Sequence, residues 1–507
     1  MGKTRQRWLS VTIAATLTSA AGCSTIMPPP PDPDTLRKTL AEDQGRMYGA
    51  QEPVTAPITF YDAVARALKY NLDYRLKLME SALARNLRDV SNNEMLPQLV
   101  ASAGYGGRSN DSGGTSIGIE DRQVSLRPST SEERYHRVGA LGFSWSVLDF
   151  GVAYYRAQQK SDEVAMAEER RRKVAQNVLQ DVRNAYWRAI AAQQLQPQVD
   201  QLLERTRRAL ASAREAETRG LLPRMEILSY QRALLDSIYL LSVRRQDLEF
   251  AQAELAALMS LPPGSRLWLA DAAQPGLPQL NDDVAKLEQL SLENRPEVRE
   301  DWYQKRIDLN DIRIAKAHLW PNIGVTAGYD YDDNKYLYNS DWTSTGVQVS
   351  LNLFNFLKWP DVYAAQDTQT ALADTRRVAL SMAILTQTRV GAIRYQLARQ
   401  EVEFADESLR VDRSLRDYAR AAKTTSLGTE LEMIRAEGRY LLSRYEREAA
   451  YSSAQAAWGR LYNSIGLDIL PDTIASHDIA TIAKEIEATL TRQEQQGLLA
   501  GSGNVAR

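Results

Sequence analysis

The sequence predicts a mainly α-helical chain with transmembrane β-strands, built as two copies of a helix–strand–strand–helix unit. The reading rests on a long internal repeat, helical segments of roughly sixty residues, and four short stretches where apolar and polar residues alternate. Of the 507 residues, 44% are hydrophobic and 25% charged, enough for a large core and too apolar for a mostly disordered chain. The formal net charge of −2 gives no electrostatic footprint for nucleic acid.

At the N-terminus, Lys3, Arg5 and Arg7 precede an apolar run from Trp8 to Ala21, too short to span a bilayer and right for a signal peptide over 1–22. The run ends in Ala20-Ala21-Gly22-Cys23. This resembles a bacterial lipobox, although alanine stands at 20 where leucine is usual. The resemblance implies acylation of Cys23 and, because Ser24 rather than aspartate follows, sorting to the outer membrane. An ordinary signal peptide with an incidental cysteine is the alternative. Cleavage removes three positive charges, leaving −2 − 3 = −5. Cys23 is the sole cysteine, so no disulfide forms within the chain. Residues 23–56 read as a lipidated tether whose Pro-rich stretch, 28–33, should be stiff and extended.

The repeat organises the rest. Leu96-Pro97-Gln98-Leu99-Val100-Ala101-Ser102-Ala103-Gly104-Tyr105 recurs as Trp320-Pro321-Asn322-Ile323-Gly324-Val325-Thr326-Ala327-Gly328-Tyr329, an offset of 321 − 97 = 224. Asp73 and Arg75 match Glu297 and Arg299 at the same offset. Phe143 to Phe150 matches Val349 to Phe356, and Glu226-Ile227 matches Glu432-Met433, at 349 − 143 = 206; the first copy has the longer loop. The repeats occupy 57–265 and 284–470, with a linker over 266–283 and an extension over 471–507.

Each copy reads as helix (59–95; 284–318), two strands, very long helix (151–218; 361–424) and last helix (222–260; 430–468). These stretches are rich in Ala, Leu, Glu, Gln and Arg, good helix formers. Leu431, Ile434, Gly438, Leu441 and Tyr445, and Ile227, Leu234, Ile238, Leu241 and Leu248, form coiled-coil-like seams. Pro197 should kink the first long helix. A further helix is expected near 478–496.

The strands separate this chain from a plain coiled-coil rod. Leu141, Phe143, Trp145 and Val147 oppose Gly142, Ser144 and Ser146; Ile323, Val325, Ala327 and Tyr329 oppose Asn322, Gly324, Thr326 and Gly328; Val347, Val349, Leu351 and Leu353 oppose Gln348, Ser350 and Asn352. Leu99, Ala101, Ala103 and Tyr105 alternate more weakly. A soluble sheet with one wet face has the same pattern. Membrane is favoured by aromatics near strand ends (Tyr105, Trp145, Phe150, Tyr329, Tyr331, Trp342) and by polar, glycine-rich loops at 106–135 and 330–343. Four strands cannot close a barrel, and an open edge cannot face lipid, so other copies must complete it. Three chains give twelve strands.

The duplicated plan resembles the TolC family of outer-membrane efflux proteins over about 57–470. The resemblance rests on Leu96-Pro97, Trp145 to Asp149 before Gly151, and Gly220-Leu221 followed by Glu226-Ile227. It implies a homotrimer with a twelve-stranded barrel in the outer membrane and an α-helical barrel across the periplasm. It further implies a periplasmic adaptor (membrane fusion) protein and an inner-membrane transporter as partners. The turn Arg219-Gly220-Leu221-Leu222-Pro223 resembles the family's Gly-Leu tip, which implies adaptor docking. In the second turn Leu427 matches Leu221, but Ser426 replaces the glycine and Gly428 follows. For the family's acidic gate rings the match gives Glu432, with Arg435 where a second aspartate would stand and Glu226 as the first-copy counterpart. An Arg435–Glu432 pair along one helix would hold such a ring shut without metal. Ordinary helix caps and an ordinary exposed ion pair are the bland alternatives.

No catalytic, cofactor or metal site is expected: His136, His318 and His477 are far apart, and no nucleophile–base spacing is recognisable. The competing functions are a passive export duct, a pore-less periplasmic coiled-coil lipoprotein, and a lipoprotein hydrolase.

Overall fold

Of the proline-rich run expected to be extended, residues 28, 29 and 31 lie outside the described residues, Asp32 is extended (φ −58°, ψ 130°), and Pro33 opens a helix. Asp32 is the N-cap of α1 (Pro33–Tyr48), its carboxylate accepting from the Thr35 amide at 3.1 Å, with Pro33 at the helix start. A capping aspartate and a proline needing no amide partner together favour a helix there. The computed structural model describes residues 30, 32–49, 51–124, 127–219, 223–270, 274, 276–280, 283–424, 430–469 and 476–496. The chain divides into two compact units, Met1–Pro53, which carries α1, and Val54–Arg507. Cys23 and the expected signal peptide lie outside the described residues.

The second unit contains α2 (Phe60–Tyr70), α3 (Leu72–Asn93), β1 (Gln98–Gly107), β2 (Tyr135–Ser146), α4 (Val147–Thr218) and α5 (Arg224–Leu258). Then follow α6 (Val284–Asn294), α7 (Pro296–Ala317), β3 (Asn322–Asp332), β4 (Asp341–Ser350), a 3₁₀ turn (Leu353–Lys358), α8 (Trp359–Thr424), α9 (Glu430–Ile465) and α10 (Ile479–Gln496). The duplication is therefore structural: α6, α7 and β3 begin 224 residues after α2, α3 and β1, and β4 and α9 begin 206 after β2 and α5 (284 − 60, 430 − 224).

The first helix of each copy, expected to be continuous, is broken in two. At Asn71 (φ −59°, ψ 125°) the side chain caps the next helix by accepting from the Tyr74 amide, a local bond that competes with helix continuation. At Arg295 (φ −63°, ψ 130°) the cause is Pro296, which pushes its predecessor out of helical geometry. The 72-residue α4 reaches roughly 108 Å at 1.5 Å per residue and remains one helix through the exposed Pro197. The second copy begins its long helix later, with the 3₁₀ turn before Pro360.

One sheet of order β1-β2-β3-β4, antiparallel throughout, leaves β1 and β4 as edges. The register puts the alternating apolar residues on one face: Leu99–Phe143–Ala327–Thr345, Ala101–Leu141–Tyr329–Thr343 and Trp145–Val325–Val347 run across it. Gly142, Ser144, Thr326, Gly328 and Gln348 lie on the other. Val147, Leu351 and Leu353, expected as strand residues, fall beyond the strand ends, Val147 already in α4. Trp342 pairs with Asp330 and so lies on the polar face.

Below the sheet, α5, α4, α9 and α8 pack side by side in that order. The largest core lies on one side of this wall. There α2, α6 and α10 cover Leu179, Val182 and Tyr186 of α4, Tyr395 of α8 and Trp458 of α9. The linker joins the same layer: Ile58 pairs with Leu269 in a parallel bridge, and Gln193 both donates to the Leu269 carbonyl and accepts from its amide, each at 3.0 Å. Gly466 ends α9 at φ +78°, where a Cβ would meet Arg295 Cα at 2.8 Å. Only glycine satisfies both the left-handed turn and that approach.

Candidate functional site

Two regions of the surface stand out. The first is the sheet. Leu99, Leu141, Trp145, Ile323, Tyr329, Val347 and Val349 are all exposed on its apolar face, Val347 by 74%. A contiguous apolar face of this size marks contact with lipid or protein. Its strands, 10 to 12 residues long, match the 9–11 or so needed to cross a bilayer. Aromatics sit at both ends: Tyr105, stacked on Tyr135 at 6.2 Å, with Tyr329 and Tyr331 toward the loops, and Trp145, Phe150, Trp320 and Trp359 toward the helices. The two loops interlock, with Asn334 donating to the Ser131 carbonyl at 3.0 Å and Lys335 paired with Glu133.

The same lopsidedness recurs in the helices. On α3, Leu72, Leu76, Met79, Leu83, Leu87 and Val90 form an exposed stripe at three- and four-residue spacing. On α8, Leu397, Phe404, Val411 and Tyr418 recur every seven residues, all exposed. On α5, Met225, Leu228, Leu235 and Tyr239 do likewise. These helices are the outermost members of the wall, so each stripe lies on an edge, like β1 and β4. Sequence periodicity located the inner seams correctly: Ile227, Leu234, Leu241, Leu248, Ile434 and Leu441 are buried, and Ile238, Leu431 and Tyr445 pack against them. The outer stripes carry the same signal, but only the fold shows which stripes have no partner within the chain.

The second region is the end of the wall where α4 meets α5 and α8 meets α9. Arg219 ends α4, its amide donating to the Glu215 carbonyl at 3.0 Å, and Pro223 is the N-cap of α5. Gly220, Leu221, Leu427 and Gly428 lie outside the described residues. Glu432 stands in the first turn of α9 and Arg435 one turn later, both exposed. Together with Leu202, Ser237, Leu415 and Arg439 they line a groove of about 530 Å³ between the four helices. Glu226, exposed in the first turn of α5, does not line it.

Sequence reasoning missed the clamp beside this groove. Arg205 of α4 reaches Glu430 at 2.7 Å and Glu437 at 2.7 Å on α9, and Arg420 of α8 lies 3.8 Å from Glu437. The Glu430 hydrogen bond holds the Arg205 pKa above its ordinary value; burial opposes this and Glu437 adds to it. The seven-residue spacing of Glu430 and Glu437 put both on one helix face, but nothing local to the sequence named an arginine 225 residues away as partner. Among the described residues no group of three or more His, Cys, Asp or Glu is placed to hold a metal ion.

The model of the family described as outer membrane efflux protein matches residues 64–260 and 287–467, one stretch in each repeat. No curated protein sequence matches significantly. Among solved structures, the chain is similar to the Campylobacter jejuni CmeC outer membrane channel (TM-score 0.63, 12% identity, 86% of this chain and 93% of that one). It is also similar to the outer-membrane channel OprN (0.59, 17%, 80% and 89%) and to the open state of the Neisseria gonorrhoeae MtrE outer membrane channel (0.59, 14%, 82% and 93%).

Proposed function

Because this chain belongs to the outer membrane efflux protein family, we propose that it is the passive exit duct of a tripartite efflux or type I secretion system. In this role it works as a homotrimer with a periplasmic adaptor and an inner-membrane transporter. The observation that carries the reading is the shared asymmetry of sheet and wall. The sheet ends in β1 on one side and β4 on the other, and the wall ends in α3 and α5 on one side and α8 on the other. A two-fold pairing of β1 with β1 would leave both β4 edges in lipid, unsatisfied. Head-to-tail contact of unlike edges repeats until the ring closes, and three copies supply twelve strands. The stripes of α3 and α5 then meet the stripe of α8 on the next copy. Cys23 anchors each chain to outer-membrane lipid, and Gly220, Leu221, Leu427 and Gly428 form the adaptor-docking tip.

Glu432, Arg435 and Glu226 are the gate in this account. Three copies of Glu432 converge, with Arg435 on the same helix relieving their repulsion. Single-channel recording in a planar bilayer tests this: the wild type should show small openings that widen in a Glu432→Ala, Arg435→Ala double variant. Closed chambers with both proteins, from preparations of confirmed trimers, would remove the gate from this position.

A further inference from the structure

A cavity of about 620 Å³ opens between α4, α8 and α9, with Arg295 at the break between α6 and α7 also on its wall. Its lining runs from Ala398 and Ala457, buried in the main core, out to the exposed Arg394 and Arg460.

Its charge is one-sided. Lys173, Arg295, Arg394 and Arg460 bring four cationic groups and Glu401 one carboxylate. Lys173 and Arg295 are held by Glu297, each at 2.9 Å, and Arg295 also donates to Gln387 at 2.6 Å. Arg394 and Arg460 are exposed to solvent and form no ion pair among the described residues. Leu397, Val390 and Ala457 add an apolar floor beside them. Two guanidiniums above an apolar surface, backed by further fixed positive charge, suit an anionic group carried on an apolar body.

We propose that this cavity is a binding station for anionic amphiphilic cargo, with Arg394 and Arg460 taking the carboxylate, sulfonate or phosphate. That the bound molecule is cargo rests on the duct reading above; the assignment of an anion to the two arginines does not. Fluorescence anisotropy of carboxyfluorescein, titrated with the purified full-length protein in detergent, tests it. Carboxyfluorescein should bind saturably, and rhodamine 6G, a cationic dye of similar size, at least tenfold more weakly. Arg394→Gln with Arg460→Gln should weaken carboxyfluorescein at least tenfold. Arg394→Lys with Arg460→Lys should stay within about threefold, and Arg232→Gln, an exposed arginine on α5, should change nothing. Saturable binding untouched by the double glutamine variant, or no saturable binding by the wild type, would overturn the proposal. Conductance of the same preparations separates the two readings. Openings without arginine-dependent binding leave the duct and remove the station. Arginine-dependent binding by particles of a single chain that give no openings keeps the anion site and removes the duct.

Discussion

Glu297 shows how single residues hold the two repeats together. Burial works against its charge, but hydrogen bonds and charge from Arg295 and Lys173 outweigh burial and hold its pKa at about 2, against an ordinary 4.5. A depressed carboxylate stabilises the fold fully above about pH 4.5 and loses that contribution as pH falls toward 2. Discounted for its partial exposure, the contribution is roughly 2 kcal/mol. Glu297→Gln should therefore lower the melting temperature at pH 7 and flatten its fall between pH 4.5 and 2, read by circular dichroism. An unchanged acid profile would remove Glu297 from this role. Arg205→Ala should cost about 1 kcal/mol, since the clamp is partly exposed, and should raise the open probability of the channel while leaving its assembled mass unchanged. Little of this was legible beforehand. The match of Glu297 with Asp73 was visible as part of the repeat, but its partner Lys173 stands on α4, and no local spacing announces a contact across the fold. Where the duplication does preserve a contact, it preserves position rather than chemistry. Ser81 of α3 donates to Glu168 of α4 at 2.5 Å, and Lys305 and Asp374, at the equivalent places in α7 and α8, form a 2.8 Å ion pair.

Among the elements, the stripes on α3 and α8 make a separable prediction. Leu83 and Phe404 are 57% and 73% exposed within one chain, so Leu83→Glu or Phe404→Glu should leave helicity intact while abolishing assembly on a detergent gel-filtration column. Normal assembly by both variants would place the subunit contact elsewhere. The sequence predicts a helix past residue 471 and assigns it no role, yet α10 buries Ile482, Ile486 and Leu490 in the main core, and Glu494 accepts from both Arg183 and Trp458. At about 1.5–3 kcal/mol per buried aliphatic side chain, deleting residues 476–507 should cost on the order of 5 kcal/mol, visible as a lowered melting temperature. The elements with strong periodicity were legible in the sequence: the long helices, the four strands and the tail helix. The breaks at Asn71 and Arg295 were missed because helix periodicity continues across them while one cap and one proline end the hydrogen-bond ladder. The helix at 33–48 was missed because a run of prolines hides the N-cap at Asp32.

For the whole molecule, the central claim is that one chain is an open segment of a closed ring. Sheet and wall each end in unlike, unpaired edges, and the apolar face of the sheet is continuous across all four strands. The sequence showed the strands and their alternation. It could not show that the edges of sheet and wall lie on corresponding sides, because that follows from the packing of α4 against α3, α5, α7 and α9. The most direct test is the protein mass of the detergent-solubilised particle, measured by light scattering with the detergent contribution subtracted. The account predicts about three times the mass of one mature chain for the wild type and a single-chain mass for Phe404→Glu. A wild-type particle of one or two chains, with full helicity retained, would contradict it.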